Sequence, residues 1–166
     1  MQYNYVYFGI INQKRALKMV IFETPCVEIS YVFQVSCLFI KWLSKPDTAS
    51  FIEAHGAALQ FSIDNPVVRS YCTDLTSIGS LTREQESWLS LEYYQKSYNK
   101  LKKDFFVAVI FSEEHFKAVV TNYQIPSALS PHPYVYFNYF TDQQEALHWL
   151  ESIEKGQDLA FLSTVS

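Results

Sequence analysis

The spacing of apolar residues changes rhythm along the chain, and each rhythm predicts an element. Residues 20–22 form a short apolar run before Pro25, and residues 26–33 then alternate. Val27, Ile29 and Tyr31 fall on one side of that stretch, Glu28 and Ser30 on the other, which is the period of a β-strand. Residues 38–43, with Phe39, Ile40 and Trp42, form the next strand. Residues 34–36 are too few for a crossover, so these strands are expected to run antiparallel.

From Ser44 the period lengthens. Pro46 and Asp47 occupy positions favoured at a helix start, and Phe51, Ile52, Ala58, Leu59 and Ile63 supply the apolar positions of a helix. Asn65-Pro66 ends it, because the residue before proline avoids helical geometry. Residues 67–75 read as a strand. Thr82-x-x-Gln85 is a capping box opening a helix to about Leu101. Residues 105–111 are almost wholly apolar, as expected of a strand covered on both faces. Ser112 caps a helix from Glu113 to about Tyr123, residues 125–133 form a proline-containing loop, and residues 134–140 a further strand. Thr141-x-x-Gln144 reads as a second capping box, before a helix that buries Ala146, Trp149, Leu150 and Ile153 and stops at Gly156.

Antiparallel N-terminal strands followed by alternating helix and strand predict an α/β fold on a mixed central sheet. Residues 1–18 read as an N-terminal extension, 19–156 as a single domain and 157–166 as a C-terminal tail. A chain of 166 residues, 49% hydrophobic and 18% charged, has globular composition and needs no metal or disulfide staple.

Charge narrows the partners. The net charge is −4, and Lys14, Arg15 and Lys18 precede every acidic residue, so the body of the chain is more acidic still. Such a body repels phosphate backbones, and no nucleic-acid partner is expected. Lys100, Lys102 and Lys103 cluster where a helix should end, a position that complements the helix dipole. The longest apolar run is far shorter than the roughly twenty residues a membrane helix needs. The N-terminal basic residues follow the apolar stretch 3–11, the reverse of a signal peptide. Cys26, Cys37 and Cys72 share no ligand spacing and number three, pointing to a reduced, cytoplasmic compartment.

No side-chain pattern announces a reaction. His55, His115, His132 and His148 lack metal-ligand spacing, and His55 falls beside the apolar face of the first helix as a half-buried, hydrogen-bonded side chain. The glycines at 9, 56, 79 and 156 are too scattered for a phosphate-cradling loop. Glu113-Glu114 and Glu84/Glu86 lie in first helical turns, where the dipole favours negative charge. No Gly-x-Ser-x-Gly elbow occurs. A non-enzymatic protein without catalytic residues, metal or cofactor is therefore expected. Aromatic residues, 17% of the chain, are the one excess. Tyr93, Tyr94 and Tyr98 crowd one helix; Tyr134, Tyr136, Phe137, Tyr139 and Phe140 crowd one strand. They can pack the sheet, form a homodimer or partner surface, or line an apolar pocket.

An ordered set of segments resembles a known family. It comprises the strand with Trp42, Asp74 closing a strand, Thr82-Arg83-Glu84-Gln85-Glu86-Ser87-Trp88-Leu89, Val107-Ala108-Val109-Ile110, and Phe140-Thr141-Asp142-Gln143-Gln144-Glu145-Ala146-Leu147-His148-Trp149-Leu150. Across about residues 19–155 the chain is similar to the SpoIIAA-like proteins of the STAS superfamily, in particular small bacterial members. That resemblance implies a mixed sheet with helices against it, a cytoplasmic location, and regulation through protein contacts. In phosphorylatable members a serine follows a strand within an Asp-Ser-Ser-Gly-like motif. The matching stretch here, Asp74-Leu75-Thr76-Ser77-Ile78-Gly79-Ser80-Leu81-Thr82, is hydroxyl-rich but lacks that motif. Asp74, Ser77, Ser80 and Thr82 are thus the candidate phosphorylation or interaction loop, with Ser77 or Ser80 as acceptor; alternatively the hydroxyls cap a loop and a helix. The second functional reading is a carrier of a small apolar ligand or lipid, in a pocket lined by the helix aromatics.

Overall fold

A computed structural model describes residues 17–122 and 132–156, together with the backbone of Tyr5–Val6. Seven strands form one sheet in the order of the sequence: β1 (Tyr5–Val6), β2 (Lys18–Thr24), β3 (Val27–Val32), β4 (Cys37–Trp42), β5 (Ser70–Asp74), β6 (Phe105–Ile110) and β7 (Val135–Phe140). β1 to β4 pair antiparallel, and β4 to β7 pair parallel. The mixed α/β architecture expected from the pattern is the one observed. β1 was not anticipated. It lies within the segment read as an extension, yet Tyr5 pairs with Met19 and Val6 with Lys18.

Local chemistry explains the turns. Thr24 pairs with Val27 around Pro25 and Cys26, a tight hairpin in which proline presets the turn dihedral. A 3-10 turn, Phe33–Val35, and Ser36 in the left-handed region (φ 47°) join β3 to β4.

Helices cover both faces. α1 (Thr48–Asp64) joins β4 to β5, and α2 (Arg83–Trp88), a π-helical turn (Leu89–Tyr93) and α3 (Tyr94–Leu101) join β5 to β6. These pack on the face carrying Ile29, Leu38, Ile40, Trp42, Tyr71 and Val107. Successive parallel crossovers on one side of the sheet agree with the right-handed rule. α4 (Glu113–Asn122) joins β6 to β7. α5 (Gln143–Glu154) covers the other face, laying Ala146, Leu150 and Ile153 against Phe39, Cys72, Phe106 and Ala108. β6 is buried along its whole length because both its faces are covered.

Several expected details are corrected. The helix from Thr82 is interrupted: Tyr94 N–H donates to the Leu89 carbonyl, an i+5 bond. β5 starts at Ser70, since Val68 N–H bonds the Asn65 carbonyl at 3.0 Å and closes a turn there. Asp142, rather than Thr141, caps α5, its Oδ1 accepting from Glu145 N–H at 3.0 Å. Ile52 and Ile63, two of the apolar positions that mark the helix in the sequence, are exposed. Tyr123, most of the loop 125–133 and the tail 157–166 lie outside the described residues.

Candidate interaction surface

The loop after β5 is built from two buried plugs. Leu75 N–H donates to the Ile110 carbonyl at 2.9 Å, and Ile78 and Gly79 N–H both return to the Leu75 carbonyl. Leu75 and Ile78 are buried, while Gly79 adopts φ 68°, which only glycine takes without strain. Asp74 is buried at the strand end and is internally occupied: its Oδ1 accepts from Thr76 N–H at 3.0 Å and Thr76 Oγ1–H at 2.6 Å. Thr82 is likewise a structural residue. Its Oγ1 accepts from Gln85 N–H at 3.2 Å while Gln85 Oε1 accepts from Thr82 N–H at 3.0 Å, the capping box read from the sequence. Ser77 and Ser80 are exposed, and Ser80 Oγ lies 3.4 Å from Nε2 of His115 on α4.

Gln85 carries the loop to the neighbouring helix. Its buried amide donates to the Pro46 carbonyl at 3.1 Å, and Thr48 Oγ1–H donates to Glu84 Oε2 at 2.8 Å. These bonds fix the start of α2 beside the start of α1 and leave an open groove of about 430 Å³ between them. Thr48 and Ile52 line it from α1; Glu84, Ser87, Trp88, Leu91 and Glu92 line it from α2 and the π-turn. Leu91 is 78% exposed and Ile52 37%. Its lining thus combines the apolar Ile52, Trp88 and Leu91 with two carboxylates and no basic residue.

Below Trp88 lies a sealed aromatic cluster. The His55 ring centroid is 4.3 Å from Phe51, 5.0 Å from Tyr93 and 5.8 Å from Trp88. Its Nδ1 lies 2.9 Å from the Phe51 carbonyl, and since a carbonyl can only accept, Nδ1 carries the proton. Burial lowers the imidazole pKa from 6.5 to about 4, so His55 is neutral at physiological pH. Tyr93 Oη–H donates to the His55 carbonyl at 3.2 Å.

Comparison of the chain with protein-family models, curated proteins and solved structures returned no match.

The remaining histidines are dispersed. His132 Nε2 donates to the Ser90 carbonyl at 2.6 Å, pinning the approach to β7 onto the π-turn. His148 is exposed on α5. Among the described residues no group of three or more His, Cys, Asp or Glu could hold a metal, and no helix is long and apolar enough to cross a membrane. The helix aromatics pack inward: Tyr93 is buried, Tyr94 meets Phe105 and Phe137, and Tyr98 stacks on Tyr134 at 3.9 Å.

The expected contact surface, the Ser77–Thr82 loop and the helix after it, includes the α2 wall of this groove but not Thr48 and Ile52 of α1. Two signals pointed there. Ile52 stands next to Glu53 at the edge of the apolar face of α1, and Leu91 stands between Ser90 and Glu92.

Proposed function

We propose that this chain is a non-enzymatic, cytoplasmic regulatory module of STAS/SpoIIAA-like type that works by docking a basic, amphipathic segment of a partner protein between α1 and α2. The exposed Leu91 and Ile52 beside Glu84 and Glu92 carry this reading. Apolar groups left in water along a concave, single-signed surface recognise a segment that offers an apolar anchor and cationic neighbours. The ascending parallel run β4 to β7, after an antiparallel lead-in, supports the family resemblance. Ser77 and Ser80 lie on the loop leading into α2, where a phosphate would add negative charge beside the site.

Selection of a random peptide display library on the intact protein tests the reading. Enriched peptides should combine a large apolar residue with Lys or Arg, should lose binding about tenfold or more to Leu91→Glu, and should weaken with Glu84→Lys/Glu92→Lys. Peptides that bind the Leu91→Glu and charge-reversed proteins unchanged would place recognition elsewhere and overturn it.

A further inference from the structure

The edge of the sheet at β7, which no described strand pairs, makes a second, independent surface. β7 pairs with β6 on one side, and among the described residues no strand lies beyond it. The carbonyls of Tyr134 and Phe140 accept from Phe105 and Phe111 N–H, so the even-numbered residues of β7 direct their backbone groups to β6. Alternation then turns the N–H and C=O of Phe137 and Tyr139 away from the sheet. Tyr139 N–H confirms this direction: it donates to Asn138 Oδ1 at 2.9 Å instead of to a strand.

Protected edges carry charge, proline, a bulge or a covering element. Val135–Phe140 contains neither charge nor proline, and its register with β6 is unbroken. Four of its six side chains are aromatic and are already set in order. On one face Phe111, Tyr139 and Phe137 form a shelf of nearly parallel rings, with centroids 5.9 Å and 6.5 Å apart. On the other, Tyr136 stacks on Phe106 at 5.1 Å and Phe140 meets Trp149 at 5.8 Å. Tyr139 is 46% exposed.

We infer that a second copy of this chain pairs antiparallel with β7, joining two sheets across a twofold axis at Asn138. The strand is complementary to itself in that register. Phe137 of each copy meets Tyr139 of the other in a hydrogen-bonded pair, and Tyr136 meets Phe140 on the opposite face, so every close cross-strand contact flanking the axis is aromatic on aromatic. Asn138 faces Asn138 on the axis. In the single chain its side chain occupies the Tyr139 N–H that the second strand needs, so it acts as a local competitor that keeps association reversible. This surface is distinct from the α1–α2 groove and does not depend on it.

Sedimentation over a concentration series, with amide hydrogen exchange read at Phe137 and Tyr139, tests the inference. Asn138→Val removes the competitor and should tighten the dimer about tenfold relative to the wild-type chain. Tyr139→Pro removes one outward N–H that the β6–β7 ladder does not use, and should abolish association in both the wild-type and Asn138→Val backgrounds. Circular dichroism and thermal melts report whether each variant is folded; Tyr139→Lys, which adds an edge charge without altering the backbone, gives the same comparison if the proline variant melts early. Concentration-dependent protection of the Phe137 amide would support the pairing. An Asn138→Val protein that stays monomeric throughout, or a dimer that survives both Tyr139 substitutions, would overturn it.

Discussion

At the scale of single residues, His55 illustrates how a polar side chain is kept inside an apolar cluster. Its one buried donor is spent on the Phe51 carbonyl, and the ring is otherwise enclosed by Phe51, Trp88 and Tyr93. Neutrality makes this tolerable and makes stability depend on pH. Above about pH 6.5 both folded and unfolded chains hold a neutral imidazole. Between 6.5 and about 4 the unfolded chain takes up a proton that the folded one refuses, so stability falls as pH falls. The loss should reach about 3 kcal/mol below pH 4. Urea denaturation of His55→Phe should show a shallower decline over that window; a slope equal to that of the wild-type protein would mean that another group titrates. The helical position of His55 and its satisfied state were legible from its spacing to Phe51 and Leu59. Its full burial was not, because that depends on Trp88 and Tyr93 arriving from another helix.

At the scale of elements, the segment from Thr82 to Leu101 shows what periodicity can and cannot reveal. Gln85, Leu89, Tyr93, Ser97 and Leu101 all turn inward at steps of four. An α-helix advances about 40° beyond a full turn at each such step, or about 160° across the segment, and would carry its later residues off the core. The wider π-turn at Leu89–Tyr93 takes up that excess, restores the phase of α3, and lets Tyr98 stack on Tyr134. The capping box and the helix end were readable because they are local chemistry. The phase correction was not, because period 3.6 and period 4 coincide over two turns. Likewise Thr141-x-x-Gln144 has the spacing of a capping box, yet the observed bond to Glu145 makes Asp142 the cap. A paired measurement checks the phase argument. Leu91→Ala, at an exposed position, should change stability by less than about 0.5 kcal/mol. Deleting Leu91 takes out the extra residue that the π-turn holds, so α2 and α3 can join in phase as one regular helix and the fold should survive, whereas an alanine inserted after Leu91 turns α3 by about 100° and should cost several kcal/mol more. Equal losses from the deletion and the insertion would show that the π-turn sets no phase.

At the scale of the whole molecule, the sheet has two unequal covers. Strand alternation made both faces foreseeable, and the unbroken apolar run of β6 showed that both had to be buried. Which helix covers which face was not legible: it follows from crossover handedness for the helices that join parallel strands, whereas α5 joins no two of the described strands. Among the described residues, α1 to α3 form a continuous layer on one face, whereas α5 is the one helix closing the core around Cys37, Phe39, Cys72 and Ala108 on the other. A single helix held by Ala146, Leu150 and Ile153 can open without unfolding the layer behind it. The three free cysteines report this directly. Cys37 and Cys72 are buried beneath α5, and burial raises both thiol pKa values, while Cys26 is half-buried beside the β2–β3 turn. Leu150→Ala should cost about 3 kcal/mol by opening a cavity under α5. If α5 opens as a unit, that cost falls on its docking equilibrium, so alkylation of Cys37 and Cys72 should accelerate together by about a hundredfold at neutral pH, with Cys26 unchanged. Site-resolved mass spectrometry of a labelling time course distinguishes the outcomes. Acceleration at all three cysteines by one factor would mean that the molecule opens only globally, and no acceleration at Cys37 and Cys72 would mean that α5 does not control access to that face.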